Sequence, residues 1–281
     1  MQSIPKIDFL KKSSQQIEGF EWVDFGDLLQ QASLPKDHSP FQFHRLQFNI
    51  ILMIVEGEVD HKVDMETHRV KAGDCLLIFS NQIHAFDPQS LYKGGLILAT
   101  DAFLQQHISP ALMRYIHHHH RFPPNKKPIH APKLCGNLLS ALRNDQWKNP
   151  LLQKEYIGAS LTLFYTQLLN LTSESNANDH LKGEYKLFNQ FYHLIQKYST
   201  QSRDANWYAA QLGITYKHLN VICKEFIDQY IMLEAKRYLL SSQSSIKEIS
   251  YQLGFDEPTN FQKYFKRHSK LTPRSFREQY I

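Results

Sequence analysis

The chain has 281 residues, long enough for two domains of ordinary size, and its 42% hydrophobic and 21% charged residues suit a folded globular protein. No run approaches the ~18 consecutive apolar residues of a membrane span, and the opening "MQSIPKIDFLKKSSQQIEGF" lacks a sustained apolar core and a cleavage signal, so neither a membrane partner nor export is expected. Three cysteines, Cys75, Cys135 and Cys223, stand far apart, odd in number and without zinc spacing, which predicts small core residues in a reducing, cytoplasmic setting.

Chain order brings strands first. "HRLQFNIILMIVEG" alternates, with Leu46, Phe48, Ile50, Leu52 and Ile54 pointing one way. Arg45, Gln47 and Asn49 point the other, followed by Ile51, Met53 and Val55. That is period two passing into a covered interior, and Glu56-Gly57 is expected to end the strand. "EVDHKVD", "CLLIF" after an Ala-Gly-Asp turn, and "YKGGLILAT" read as further strands. Many short strands with Gly and Asp turns predict an antiparallel sandwich or barrel over residues 1–130.

From about residue 131 the period lengthens. Leu134, Leu138, Leu139 and Leu142, then Ile157, Leu161, Phe164, Leu168 and Leu169, mark two amphipathic helices over 131–171. They brace the β domain, and the second is the better candidate for a dimerising face. "TSESNANDHLKG", residues 172–183, reads as a linker.

Residues 184–281 read as helices throughout. "EYKLFNQFYHLIQKY" sets Leu187, Phe191, Leu194 and Ile195 on one side. "NWYAAQLG" is a short helix ended by Gly213, and Thr215 is an N-cap for "TYKHLNVICKE". "FIDQYIMLEAKRYLLSS" is a longer helix, and "SIKEISYQLG" opens with the Ser245-to-Glu248 capping-box spacing and closes at Gly254.

Charge is uneven. Residues 181–281 hold 15 Lys and Arg against 9 Asp and Glu, a net of +6, whereas residues 1–180 hold 17 against 18, a net of −1. A neutral front and a basic back point the back at an anionic partner, nucleic acid first. The competing reading is a solvated basic surface.

The back also repeats itself. "YAAQLGITYKHLNVICKE" aligns with "EISYQLGFDEPTNFQKYFKR": Ala209 on Ser250, Leu212 on Leu253, Gly213 on Gly254. Leu219 and Cys223 stand where the second copy, one residue longer, has Phe261 and Phe265, and Lys224 matches Lys266. Each copy is helix, glycine turn, helix, the plan that lays its second helix in the DNA major groove. The small residue and the glycine are expected to let the two helices cross closely. On a helix from Thr259, Phe261 and Phe265 face the core, while Gln262, Lys263, Lys266 and Arg267 lie away from it. Lysine and arginine supply counterion-release affinity, and Gln, Asn and Lys can read base edges.

With "SIKEISYQLGFDEPTNFQKYFKRHSKLTPRSFR", "AAQLGITYKHLNVICKE" and "LEAKRYLL" on the page, the sequence resembles the AraC/XylS family of bacterial transcription regulators. The resemblance covers about 100 residues strongly. The front, through "VEGEVDHKVDMETHRVKAGDCLLIFSNQIHAF", is similar to the cupin-type sensor domain common in that family. The resemblance implies an α+β chain, with an N-terminal antiparallel cupin or jelly-roll-like barrel, bracing helices, and an all-α C-terminal domain with two helix-turn-helix motifs. It places base reading on Lys217, Asn220 and Val221 in the first copy and near Thr259, Gln262 and Lys263 in the second. Lys224, Lys266 and Arg267 become phosphate contacts or support. Val221 stands where a longer polar residue is common, so an apolar contact to a thymine methyl is expected there. The implied partners are double-stranded DNA, a small-molecule effector, RNA polymerase and a second copy of the chain; no cofactor is implied.

One departure concerns the first copy. Ten positions separate Lys266 from Phe276, but only Glu225 stands between Lys224 and Phe226. About eight residues, the end of a recognition helix and its turn, are absent. Either the shortening is genuine or the chain as given omits a mobile loop. Omission is favoured, because direct fusion would run the recognition helix straight into the connecting helix.

Two rival functions are weighed. A cupin-type metal-dependent enzyme would need His44, Glu56, His61, His68 and His84 to converge, but no His-x-His pair occurs there and the family spacing is missing, so no metal and no catalysis are expected. His84 reads instead as a pocket or core residue, with His44, Arg45 and Gln47 as the other pocket candidates. The run "HHHH" at 117–120 reads as an exposed basic turn. The second rival is a DNA-binding regulator without an effector, its front serving only for dimerisation.

Overall fold

The computed structural model describes residues 17–24, 43–87, 92–113, 116, 127–142, 148–174, 204–242 and 244–280, with scattered positions between 183 and 202. The tetrahistidine run and most of the expected linker lie outside them. The chain divides into two compact units, the first comprising Met1–Ser173 with Leu240–Gln243 and the second Glu174–Leu239 and Ser244–Ile281.

The first unit is built on eight antiparallel strands: β1 (Phe20–Asp24), β2 (His44–Arg45), β3 (Asn49–Val63), β4 (Glu66–Lys71), β5 (Asp74–Ile78), β6 (Ile83–Phe86), β7 (Tyr92–Ala99) and β8 (Ile129–His130). One layer runs β1-β7-β3-β5-β8, and the far half of β3 pairs with β4 and β6 while β2 pairs with β6. The long strand β3 therefore belongs to both layers. Glu56-Gly57 does not end it. The register against β7 shifts between Ile54 and Glu56, and Gly57 takes a φ of +82°. An extra residue at this bulge bends the strand and re-aims its side chains without breaking the ladder.

Period two sorts the apolar residues as expected up to Ile54; Val55, expected on a covered face with Ile51 and Met53, is instead exposed. Leu46, Phe48, Ile50, Leu52 and Ile54 fill the interior with Val59, Val63, Val70, Leu96 and Leu98. Ile51, Met53, Cys75 and Ile97 turn to the other face, where a second core forms under helices, with Met113 and Ile116 of a partly described helical stretch also in it. Three of those helices are α1 (Asp101–His107), α2 (Pro132–Leu142) and α3 (Pro150–Glu174). Leu134, Leu138 and Leu139 from α2 and Ile157, Leu161, Phe164, Leu168 and Leu169 from α3 are buried there. Thr100 caps α1 by accepting from the Phe103 amide at 3.1 Å. Cys75 and Cys135, distant in sequence, both lie buried in this core. Cys223, in the second unit, is only partly buried, unlike the core cysteine expected.

The second unit holds α4 (Ala205–Gln211), α5 (Tyr216–Ser241), α6 (Ile246–Gln252), α7 (Pro258–Ser269) and α8 (Pro273–Tyr280). Ahead of them Phe191, Leu194 and Tyr198 pack against Tyr208, Ala209 and Leu219. The capping box forms as expected: Ser245 Oγ accepts from the Glu248 amide at 3.2 Å, and the Glu248 carboxylate accepts from the Ser245 amide at 2.6 Å. That bond holds the Glu248 carboxyl below its ordinary range. Lys270, with φ +66°, ends α7, and Thr272-Pro273 starts the last helix.

Helix α5 runs unbroken for 26 residues. The sequence from Thr215 to Ser241 was expected to form two helices with a turn or an omitted loop between them; the recognition and connecting segments are instead one rod. Leu219 and Ile222 are buried on one side of its first half and Met232, Ala235 and Leu239 in its second. At 3.6 residues per turn these stripes are roughly 140° apart.

Candidate nucleic-acid interface and barrel interior

Each helix pair of the second unit is joined by the same turn. After α4, the Ile214 amide donates to the Ala209 carbonyl at 3.0 Å and the Gly213 amide to Ala210 at 3.1 Å. After α6, the Phe255 amide donates to Ser250 at 3.0 Å and the Gly254 amide to Tyr251 at 3.0 Å. These are paired Schellman caps, with the glycine left-handed at φ +67° and +81°. A β-carbon on either glycine would meet nothing within 4 Å. The glycines are thus required by backbone conformation, not by the close helix crossing expected of them. The crossing falls to Ala209 and Ser250, both buried.

Past the turns, the apolar residues of the recognition helices point in and the polar ones out. Phe261 and Phe265 are fully buried on α7, their rings 5.9 Å apart. Thr259, Gln262, Lys263, Lys266 and Arg267 are exposed on its other side. On α5, Leu219 and Ile222 carry the buried side; Cys223, paired with Phe265 by alignment, does so only in part. Lys217, Asn220, Val221 and Lys224 are exposed, and Val221 at 46% presents an apolar surface to solvent. Each helix pair therefore offers a helix with a cationic and amide-bearing outer side, held by a buried seam.

The barrel interior holds a histidine cluster. The registers pair His44 with His84, and His61 with both His68 and Phe86. His44, His61 and His84 are almost completely buried. Nε2 of His61 lies 3.0 Å from Nδ1 of His84, and the His44 and His84 rings meet edge-on at 4.1 Å. Burial first, then the charges of His44 and His68, lowers the His61 pKa to about 3. The ring is neutral at neutral pH.

The other pocket candidates separate. Gln47 is exposed in the turn between β2 and β3, and Arg45 is partly buried. Asn49 leaves their row altogether: its amide donates to Asp101 at 2.8 Å and to the Ala99 carbonyl at 3.2 Å, tying β3 to the start of α1. Glu56 turns outward to Lys93 at 2.6 Å, away from the histidines. Among the described residues no three His, Cys, Asp or Glu groups are disposed to hold a metal.

Glu21 joins the interior and sequence reasoning missed it. Phe20 and Trp22 pack on the helix-covered face, so Glu21 and Val23 face inward, Glu21 paired with Leu98. Burial raises its carboxyl pKa to about 7. Among the described residues, one Glu21 carboxylate oxygen and Nδ1 of His61 are buried without a hydrogen-bond partner. Only the alternation around Phe20, Trp22 and Val23 could have signalled this position.

Residues 29–161 match the family described as AraC-like ligand binding domain, and residues 208–279 match a helix-turn-helix domain family. Together the matches take in well over half of the chain. The chain belongs to the AraC/XylS family of transcription regulators. It is a sequence-specific DNA-binding regulator with an AraC-like ligand-binding front domain. The transcriptional activator RhaS of Escherichia coli strain SE11 is 22% identical over 268 residues, spanning 89% of this chain and 90% of that protein. The activator RhaR of Mannheimia succiniciproducens is 22% identical over 250 residues, at 86% and 89%. Among solved structures, ToxT from Vibrio cholerae is 13% identical, covering 94% of this chain and all of its own, with a TM-score of 0.38. The AraC-like activator CuxR is 9% identical, covering 88% and 74%, with a TM-score of 0.30. Among the described residues no helix is long and apolar enough to cross a membrane.

Proposed function

We propose that this AraC-family chain is a cytoplasmic, non-catalytic regulator that reads two adjacent DNA half-motifs and is controlled by a small molecule held in the barrel. The observation that carries the DNA reading is the duplicated Schellman turn, each followed by a helix with a buried seam and an exposed polar side. Lys217, Asn220 and Val221 on α5, and Thr259, Gln262 and Lys263 on α7, read base edges, while Lys224, Lys266 and Arg267 meet phosphates. The assignment divides the chain into residues 1–130 as sensor, 131–171 as bracing helices, 172–183 as linker and 184–281 as DNA-binding domain, with α3 running past the expected boundary to Glu174. The buried polar atoms of Glu21 and His61 that have no protein partner support a ligand with its own polar groups there. An effector bound there shifts the population between DNA-binding states. The activator designation of the RhaS and RhaR relatives supports polymerase contact and activation as the output.

A second copy is the proposed partner of α3. Leu152, Tyr156, Ala159, Leu163, Thr166 and Asn170 recur at alternating spacings of four and three on its exposed side, the period of a coiled-coil seam.

Selection of bound duplexes from a random pool, using the full chain, tests the DNA reading. A bipartite site with half-motifs about one helical turn apart is expected. Recovery of nothing beyond salt-sensitive, sequence-independent binding would refute the residue assignments.

A further inference from the structure

One acidic residue stands where the two helix-turn-helix pairs meet. On the unbroken helix α5, Lys217, Val221, Lys224, Asp228, Met232, Ala235 and Leu239 follow one another at spacings of four or three, so they share one side of the rod. The first three are assigned above to DNA, and the last three are buried. Asp228 stands between the two groups, seven residues or about 10 Å along the helix from Val221. The helices that follow touch this line at two points. Tyr264 of α7 donates its hydroxyl to the Asp228 carboxylate at 2.7 Å. Arg277 of α8 donates to the Leu239 carbonyl at 2.9 Å.

Tyr264 sits among the reading residues of its own helix. It directly follows Lys263, and the Arg267 guanidinium lies over its ring at 5.5 Å. His268, one turn on, stacks against Tyr264 at 4.5 Å and brings Nε2 within 3.8 Å of the same carboxylate. Asp228 therefore ties α7, already seated by its buried Phe261–Phe265 seam, to α5 through two side chains on one of its faces. A helix held there cannot roll about its axis without breaking the bond, and its roll decides where Gln262, Lys263 and Lys266 point.

We propose that Asp228 is the positioning residue that locks the second reading helix to the first, so that the two units read DNA at one set spacing and phase. The inference rests on the assignment of reading sides made above. The missing turn gives the lock its force. In a chain with a turn after the first recognition helix, the anchor and the first reader would lie on separate helices. Here both ride one rigid rod.

The test uses the full chain and the duplex enriched from the random pool by the wild-type protein. Affinity is measured by fluorescence anisotropy on that duplex and on versions with one or two base pairs added or removed between the half-motifs. Wild-type protein should lose about tenfold or more on each altered duplex. Asp228→Ala should lose about tenfold on the enriched duplex, the scale of a hydrogen bond to a charged group, but lose little further on altered spacings. Tyr264→Phe should behave alike, and the double variant should be no worse than either single one. Asp228→Asn, which keeps an acceptor for Tyr264, should retain most of the spacing dependence and shows whether bare charge is responsible. Unchanged spacing penalties in Asp228→Ala or Tyr264→Phe would overturn the proposal, as would additive losses. Should Asp228→Ala fail to fold, Tyr264→Phe still decides. A wild-type selection that yields one half-motif alone would overturn the coupling while leaving one reading side standing; one that yields none would remove both.

Discussion

Nε2 of His61 and Nδ1 of His84 face each other at 3.0 Å in the interior of the first unit, and only one of them can carry the shared proton. Full protonation of both rings would set two donors against one another without solvent. The His61 pKa, lowered to about 3, lies far below its unfolded value near 6.5. The unfolded chain therefore binds more protons between these values, and stability falls as pH drops from about 6.5 toward 3. Glu21 works the other way: its carboxyl, raised to about 7, costs stability as pH climbs from about 4.5 through 7. Urea unfolding of the full chain across pH 4 to 8 should show a shallower acid-side loss in His61→Gln and a shallower loss toward neutral pH in Glu21→Gln. Parallel curves for variant and wild type would remove either residue from this account.

Lys263→Ala should weaken DNA binding by about 1–3 kcal/mol and relax preference at one base position. Lys266→Ala should weaken binding to every duplex and reduce the salt slope by about one. Titrations of the enriched site and its single-base variants at several salt concentrations separate the two roles. Equal losses with unchanged slopes would show that both lysines do the same thing.

Phe261→Ala should cost about 3–5 kcal/mol in the second unit, because the ring is fully buried against Phe255 and Phe265. Ser245→Ala should cost about 1 kcal/mol by removing one arm of the capping box. Chemical unfolding checks both, and a Ser245→Ala cost as large as that of Phe261→Ala would mean the cap does more than its local bonds.

Leu163→Glu places a charge in the middle of the exposed α3 stripe, where the leucine is 59% accessible. Sedimentation equilibrium should show a dimer for the wild type and a monomer for the variant, with unfolding unchanged. A wild-type monomer at micromolar concentration would leave α3 without a second copy as its partner.

Local patterns carried much of the fold. The alternation from Leu46 to Ile54 assigned each side chain to its face, because side-chain direction in a strand depends only on backbone pleating. The Ser245 to Glu248 spacing and the two glycines likewise specified a cap and two turns, since those bonds close within a few residues. The exposed sides of α5 and α7 followed from helical period once Leu219, Phe261 and Phe265 were assigned to the core.

What the sequence by itself determined, then, was the division between a β-rich front and a helical back, the duplicated turn, and the basic side of each recognition helix, all from short-range geometry. Only the tertiary structure decided that β3 continues through Gly57, that Glu21 turns to the inner face opposite Leu98, and that Asp228 meets Tyr264. Those facts depend on partners 36 or more residues apart, or on whether a bulge bends a strand instead of ending it. Pairing across such separations is set by the packing of whole layers, which no local spacing encodes. The unbroken α5 is the boundary case. Its two buried stripes, on different sides of one rod, look like two helices to any periodic reading, and only their distinct packing environments let one helix satisfy both.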